Sequence, residues 1–387
     1  MKKILIIGSG ISGLSCAYYL QKNNYLVELF EKNTSAGGRV SSEYENNFIF
    51  DVGFQVLLNN YNELRKINLY DELDIKYFNS GAFIFNKGKL LNVYSPIYHP
   101  IKFLLSNYRE IFKLKDIYKL ISLFFIKHSK SNFSNTRDFV NNMFSKTSLN
   151  LFFYPFFRGV FLSKNLDTSL SFFLKIIKKF TFGRVGLPSN GMAEISKKII
   201  KLGNLKVNYE FELNRISENK AYFKNGSIIE FDKIVFAMPL AEINQIINID
   251  LALQYHGNFT CYIKSEINKL GKTMLLVSEE DFEINSIQCL SNISKKYLKS
   301  EESLYSISSL NVNVDIDKIK SEFSTIMEIN QDDFSIIKVY RIESALPKNK
   351  ENIKNIDNIY FCGDWNIEPS IDGAMKSGRL TATKIIN

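Results

Sequence analysis

An α/β fold follows from three features of this 387-residue sequence. It opens on a short apolar run (residues 2–7), a glycine-rich turn and a small-residue helix, then a second apolar run that ends on an acid. From about 100 to 180 it is aromatic-rich with helical patterning, and 246–330 shows the β-branched alternation of a sheet, as in "FTCYIKSEI" and "KTMLLVS". A Rossmann-type nucleotide-binding unit carrying an inserted α+β part accounts for all three.

The opening unit justifies itself residue by residue. "KKILII" reads as a buried parallel strand. Gly8, Gly10 and Gly13 follow in G-x-G-x-x-G spacing, and the helix continues through Leu14, Ala17 and Leu20. Gly8 permits the tight turn, Gly10 lets the backbone approach a pyrophosphate, and Gly13 lets helix and strand pack closely. Phosphates then sit at the positive end of the helix. The second strand, residues 25–30, delivers Glu31, which can take a pair of ribose hydroxyls. Next, "EKNTSAGGRVSS" carries Gly37, Gly38 and Arg39, the Arg placed to meet further phosphate or the edge of a cofactor ring. "FIFDVGFQVL" leads a strand into Asp51 and Gly53, where a bare backbone can pass a flat ring.

Composition bounds the rest. Hydrophobic residues make up 45% of the chain and aromatic ones 14%, which suits a globular protein with much apolar surface to fill. The net charge of +9 fits an anionic ligand or membrane, or a compositional bias towards Lys, Ile and Asn. No nucleic-acid recognition motif accompanies it. The start of the chain imitates a signal peptide, but a strand and a glycine turn account for every residue, and no stretch has the apolar length of a membrane span. Cys16, Cys261, Cys289 and Cys362 form no C-x-x-C pair, which argues against zinc and a disulfide framework and fits a reduced, cytoplasmic setting. His99, His128 and His256 stand in no nucleophile–base pattern, and no metal-ligand spacing occurs. Between 102 and 130, seven basic residues face two acidic ones, interleaved with apolar positions such as Phe103, Ile111 and Phe125. Such a segment suits an anionic membrane surface, and equally the wall of a substrate cavity.

These motifs, in this order, resemble the FAD-dependent amine oxidase superfamily, which includes monoamine oxidases, protoporphyrinogen oxidases and plant-type phytoene desaturases. The resemblance is carried by Gly8-x-Gly10-x-x-Gly13, Glu31, Gly37-Gly38-Arg39 and Asp51-x-Gly53. It continues through "FFYPFFRGVFL" (152–162), "LPSNGMAEI" (187–195), "KIVFAMP" (233–239) and "CGDWNIEPSIDGAMKSG" (362–378). It implies FAD lying extended, its adenosine at the opening turn near Gly10, Ile11, Ser12 and Gly13, its flavin at residues from the end of the chain; with no attachment motif in the sequence, the FAD is expected to be non-covalent. Asp364, after Gly363, would then hydrogen-bond the ribitol. The last helix, starting near Ile371, would aim its N-terminus at the flavin with Ala374 alongside; Gly373, Ser377 and Gly378 would keep it slim. Leu213, in the strand "KVNYEFELNRI", occupies a position that meets the adenine. Gln55 and Ser370 are the residues placed nearest the flavin on its substrate side.

With motifs at both ends and in the middle, the FAD-binding domain is discontinuous, over 1–60, 185–245 and 335–387. The substrate domain is 61–184 and 246–334. The resemblance implies dehydrogenation or desaturation of a mainly hydrophobic small molecule by hydride transfer to the flavin. In the amine-oxidising members an aromatic cage residue lies two before the Glu-Gly-Ala that opens the last helix. Here the triplet is Asp372-Gly373-Ala374, and Ser370 stands in that place, closer to the desaturase pattern. Phe152, Phe153, Phe156, Phe157 and Phe161 are pocket-wall or core residues, and Arg158 is either a holder of a substrate acid group or part of a structural ion pair. An oxygen-using amine or protoporphyrinogen-type oxidase, a redox-neutral isomerase, and a non-redox binder of prenylated or lipid ligands remain as alternatives. The oligomeric state is not encoded in any of these motifs.

Overall fold

The computed structural model describes residues 2–123, 135–247, 249, 253–351 and 353–387. The first strand, Lys3–Ile7, lies at the centre of a five-stranded parallel sheet. Leu26–Phe30 pairs on one side of it, with Val207–Asn208 beyond; on the other lie Lys233–Phe236 and then Ile359–Phe361. The central strand is apolar and almost wholly buried because both faces are covered. The second sheet has seven strands, in the order Phe334–Pro347, Tyr255–Ser265, Ser303–Ser309, Ile284–Cys289, Met274–Val277, Gly81–Asn86 and Lys89–Tyr94. One of its faces packs on the helix Ile316–Met327 through Phe259, Ile287, Ile307 and Phe323. A third apolar core gathers Phe153 from the helical turn Leu149–Phe153 with Phe157, Phe161 and Phe173 from the helices Tyr154–Phe161 and Leu170–Phe182.

Two expectations need adjustment. The division at 335 cuts across the second sheet, since Phe334–Pro347 pairs along Tyr255–Ser265 for most of its length. The stretch 206–216, read as one strand, is two. Val207–Asn208 joins the parallel sheet, Glu210 turns the chain through a left-handed φ of 61°, and Leu213–Ser217 starts a separate antiparallel sheet. The part of the basic segment beyond residue 123 lies outside the described residues.

The chain's two ends meet through close helix packing. On the helix Ile371–Ile386, a Cβ at Gly378 would collide with the carbonyl oxygen of Ser12 and lie 2.7 Å from the Cys16 nitrogen, both on the first helix, Ile11–Lys22. Ser15 Oγ donates to the Met375 carbonyl at 2.8 Å. The slimness of the last helix at Gly378 therefore serves the first helix, not a cofactor. A buried carboxylate fastens the same helix elsewhere: Glu63 accepts from Arg379 Nε at 2.7 Å and Nη2 at 3.0 Å, and from Lys66 Nζ at 2.7 Å.

Burial pushes the Glu63 pKa up, but the hydrogen bonds from Arg379 and Lys66 outweigh it and leave the group below its usual value of 4.5. A depressed carboxylate pKa adds stability above the unfolded-state value, and that stability is lost as pH falls through the folded-state value. Glu63→Gln should therefore cost about 1–3 kcal/mol at neutral pH in urea unfolding. The difference from wild type should shrink as pH falls below the ordinary glutamate value of 4.5 and through the lower value of the folded state. An equal gap at both pH values would contradict this.

Candidate functional site

One cavity of about 1460 Å³ runs from the opening turn to the start of the last helix and on into an apolar chamber. Its near end lies where the parallel strands finish: Ile7, Gly8, Phe30, Glu31, Ala237 and Gly363 all line it, each at or just beyond a strand's carboxyl end. That crevice is where open α/β sheets bind ligands.

The glycine turn is shaped for a ligand. Gly8 has φ +100°, and a Cβ there would lie 2.6 Å from the Ala237 carbonyl oxygen. A Cβ at Gly10 would meet nothing within 4 Å, so its backbone opens on free space at the N-terminus of the first helix, beside Ile11 and Ser12. This is room for a pyrophosphate on a helix N-terminus. Gly13 does not line the cavity; a Cβ there would strike the Gly8 carbonyl and come within 3.0 Å of Ala237 Cβ, so its part is helix-to-strand packing. Gly37 and Gly38 close over the turn, Gly37 donating to the Ser9 carbonyl at 2.9 Å.

Glu31 is 5% exposed and fully engaged. Oε2 accepts from Ser9 N at 2.9 Å and Ser9 Oγ at 2.8 Å; Oε1 accepts from Asn33 N at 3.0 Å and Asn33 Nδ2 at 2.9 Å. A ribose would have to share or replace the Ser9 hydroxyl or the Asn33 amide. Leu213 lines the same end, with Phe211, whose N–H donates to the Glu31 carbonyl at 2.8 Å.

Further along, Arg39 Nη2 meets Asp364 Oδ1 at 2.6 Å, and Arg39 Nη1 donates to the Ala345 carbonyl at 2.9 Å. The structure thus turns Arg39 onto a carboxylate from the far end of the chain. Asp364 is buried, Arg39 is partly open to the cavity, and both line it with Gly363. Gly53 and Gln55 also line it, but Gln55 spends Nε2 on the Arg39 carbonyl at 2.5 Å. Ser370, expected beside the flavin, lines the cavity and caps the last helix, its Oγ accepting from Gly373 N at 3.0 Å. Through Ile371 and Ala374 the positive end of that helix opens on the cavity.

The chamber beyond is walled by Phe152, Phe153, Phe156 and Phe157 from one side and Met274 and Leu276 from the other. Phe161 is core only. Arg158 is no holder of a substrate acid: it does not line the chamber, but donates to the Lys164 carbonyl at 3.1 Å, lies 3.6 Å from Glu280 and sits over the Tyr154 ring. Several supports were invisible in sequence. Lys179, nearly buried, pairs with Asp372 at 3.2 Å, and Lys175 grips Glu368 with both oxygens at 2.6 Å. Asn285 and the hydroxyl pair Ser286–Ser308, 2.7 Å apart, face the chamber. No group of His, Cys, Asp and Glu able to hold a metal exists among the described residues.

A glycine-lined cleft at the carboxyl ends of a parallel sheet, continuous with an apolar chamber under a second sheet, is the two-part arrangement in which open α/β folds place a ligand at the strand ends. The chain belongs to the flavin containing amine oxidoreductase family, whose sequence profile matches residues 11–255, more than half its length. It is 49% identical over 53 residues to 1-hydroxycarotenoid 3,4-desaturase from Flavobacterium sp. (strain P99-3), covering 14% of this chain and 11% of that protein. It is 25% identical over 260 residues to protoporphyrinogen oxidase from Dictyostelium discoideum, covering 60% of this chain and 47% of that one. The matches thus span about half or less of these relatives. An oxidoreductase from Methanosarcina mazei shares the fold with TM-score 0.74 at 16% identity, over 99% of each chain. A putrescine oxidase does so with TM-score 0.73 at 12% identity, over 100% of this chain and 99% of its own.

Arg39→Met would leave Asp364 buried without a cation. It should lower the stability of the cofactor-free protein by about 1–3 kcal/mol in denaturant unfolding, the low side of a buried pair because Arg39 is partly open to water. Flavin retained through gel filtration should drop as well; retention and stability equal to wild type would show the pair to be incidental.

Proposed function

We propose that the protein binds FAD non-covalently along this cleft and dehydrogenates or desaturates an uncharged, mainly apolar small molecule held in the chamber. The observation that carries the reading is the sorting of charge along the cavity. Among the described lining residues, the charged ones are Glu31, Lys32, Glu212, Lys224 and Glu242 at the nucleotide end, and the Arg39–Asp364 pair at the junction. The chamber walls carry none. A substrate amine would find no carboxylate there, and a porphyrin's acid groups no Arg or Lys. An apolar molecule gains roughly 25 cal/mol per Å² buried.

Bound FAD would supply two-electron acceptance from a C–H bond. The chain's part is to orient and to exclude water. Gly10, Ile11 and Ser12 would hold the pyrophosphate, Glu31 the ribose, and Asp364, steadied by Arg39, the ribitol. The capped N-terminus at Ile371 would favour negative charge on the ring system. The match to protoporphyrinogen oxidase over 260 residues supports a second reading, an oxygen-using oxidase. The two separate on one measurement. Purified protein should show a visible flavin spectrum, release FAD on heat denaturation and carry a neutral lipid-like molecule identifiable by mass spectrometry. Addition of that molecule without oxygen should bleach the flavin. Hydrogen peroxide formed in proportion to substrate in air would favour the oxidase. A colourless protein that takes up no FAD would overturn both.

We propose also that the chamber mouth rests on anionic membrane. Phe103, Ile117, Leu120 and Ile121 line the cavity, while on the outer side of the same helices Ile101 is 73% exposed, Leu105 82%, Leu114 86% and Tyr118 75%. Lys102, Arg109, Lys113 and Lys115 are exposed among them against the one exposed acid, Glu110, whereas Asp116 is buried on Ser145. Apolar tips ringed by Lys and Arg suit a lipid interface. No helix among the described residues is long and apolar enough to cross a membrane. The protein should sediment with phosphatidylserine-containing vesicles, less at high salt, and Leu105→Ser with Leu114→Ser should reduce this severalfold. Sedimentation indifferent to both changes would refute the contact.

A further inference from the structure

The chamber is apolar on its helical side but not on its sheet side. We propose that Asn285, with Ser286 and Ser308, forms a recognition site for a neutral oxygen function, a hydroxyl or carbonyl, on an otherwise apolar substrate. This rests on the proposed use of the chamber for such a substrate.

Three observations converge on Asn285. First, it sits in a β-bulge. Ile284 pairs with Ser309 and Ser286 with Ser308, so Asn285 is the extra residue between them. Strand side chains alternate faces, yet Asn285 and Ser286 both line the chamber, while Ile284 and Ile287 face the opposite core. Bulges re-aim side chains in this way beside functional sites. Second, the amide is unspent. Asn285 is 8% exposed, and its Nδ2 is buried without a hydrogen-bond partner among the described residues. A buried donor left unpaired is costly, so such groups are retained where a ligand or water completes them. Asn258 nearby differs, since its amide is engaged with Thr260 Oγ1 at 2.8 Å. Third, the facing helix makes room. A Cβ at Gly159 would lie 2.6 Å from Asn285 Nδ2, so glycine there lets the amide stand at the wall.

Ser286 follows Asn285 along the strand and Ser308 stands opposite it on the neighbouring strand; their hydroxyls, 2.7 Å apart, can donate or accept. All three groups are uncharged, so they select a polar atom that carries no charge. A carboxylate or ammonium would find only dipoles, too little to repay its lost hydration.

The test is equilibrium titration of the FAD-loaded, full-length protein in detergent with geranylgeraniol and with the hydrocarbon of the same skeleton, read by the change in flavin absorbance. The alcohol should bind at least about tenfold more tightly, because a site built to hydrogen-bond rejects the analogue lacking the group. Asn285→Leu should bring the alcohol to the hydrocarbon's affinity and leave the hydrocarbon within about twofold; Ser308→Ala should give a smaller loss of the same kind. Equal binding of both probes to the wild-type protein overturns the recognition site and leaves the apolar chamber standing. No response to either probe overturns the recognition site together with the chamber reading on which it rests.

Discussion

The contact between the first helix and the last holds the site together. The cleft is built from segments more than 300 residues apart, and they meet because Gly378 lets the Ile371–Ile386 helix lie with its backbone against Ser12 and Cys16. Once that contact is made, Ile359–Phe361 extends the parallel sheet beside Lys233–Phe236. Gly363 N then donates to Ser377 Oγ at 3.0 Å, and Asp364 reaches Arg39. Cys16 lies in this seam, its thiol pushed well up by burial and by hydrogen bonding to Cys362. Fully buried, it is a packing group and not a reactive thiolate.

A second constraint is the use of buried carboxylates as fasteners between elements. Asp51, in the Asp51-x-Gly53 motif, accepts from Ser42 Oγ at 2.6 Å, Tyr297 Oη at 2.6 Å and Met192 N at 2.8 Å. Burial nonetheless pushes its pKa up against those bonds. The motif residue is thus a structural hub, and the neighbouring Gly53 is what the cavity sees. Asp372 does similar work for the last helix, between Lys179 and the Glu63 N–H. Each fastener is satisfied by partners from distant parts of the chain, which holds the cleft walls in register.

What the sequence made legible was local. The spacing Gly8–Gly10–Gly13 and the acid ending the second strand need only short-range geometry, and the two opening parallel strands follow from apolar runs. The near approach of Asp364 to the opening turn rested on resemblance alone, since nothing local to Gly363-Asp364 points to Arg39. Lys179–Asp372 depends on how two helices cross, and Asn285 on one extra residue in a strand; neither leaves a periodic trace. The misread strand at 206–216 shows the same limit. Its alternation continues through Glu210, but the left-handed turn there, with Phe211 N–H on the Glu31 carbonyl, sends the second half into another sheet. Of the two roles open to Arg158 in the sequence, the structure gives the ion pair, with Glu280, because the helix Tyr154–Phe161 turns it away from the wall that its neighbours Phe156 and Phe157 form.

The distribution of polarity also bears on how a ligand would travel. A molecule entering the chamber from water must shed its hydration over a long apolar wall, and in the proposed site the three neutral groups at the sheet return part of it. One arriving from lipid has already shed it, so its transfer is close to neutral for the hydrocarbon part and favourable for a polar atom that finds Asn285. The helices that carry Phe103 and Ile117 inward are the ones that carry Ile101, Leu105 and Leu114 outward. A soluble protein gains nothing by exposing such side chains together. In the proposed arrangement the same short helices serve as chamber wall and as lipid contact, and that double duty accounts for both their apolar faces and their flanking lysines.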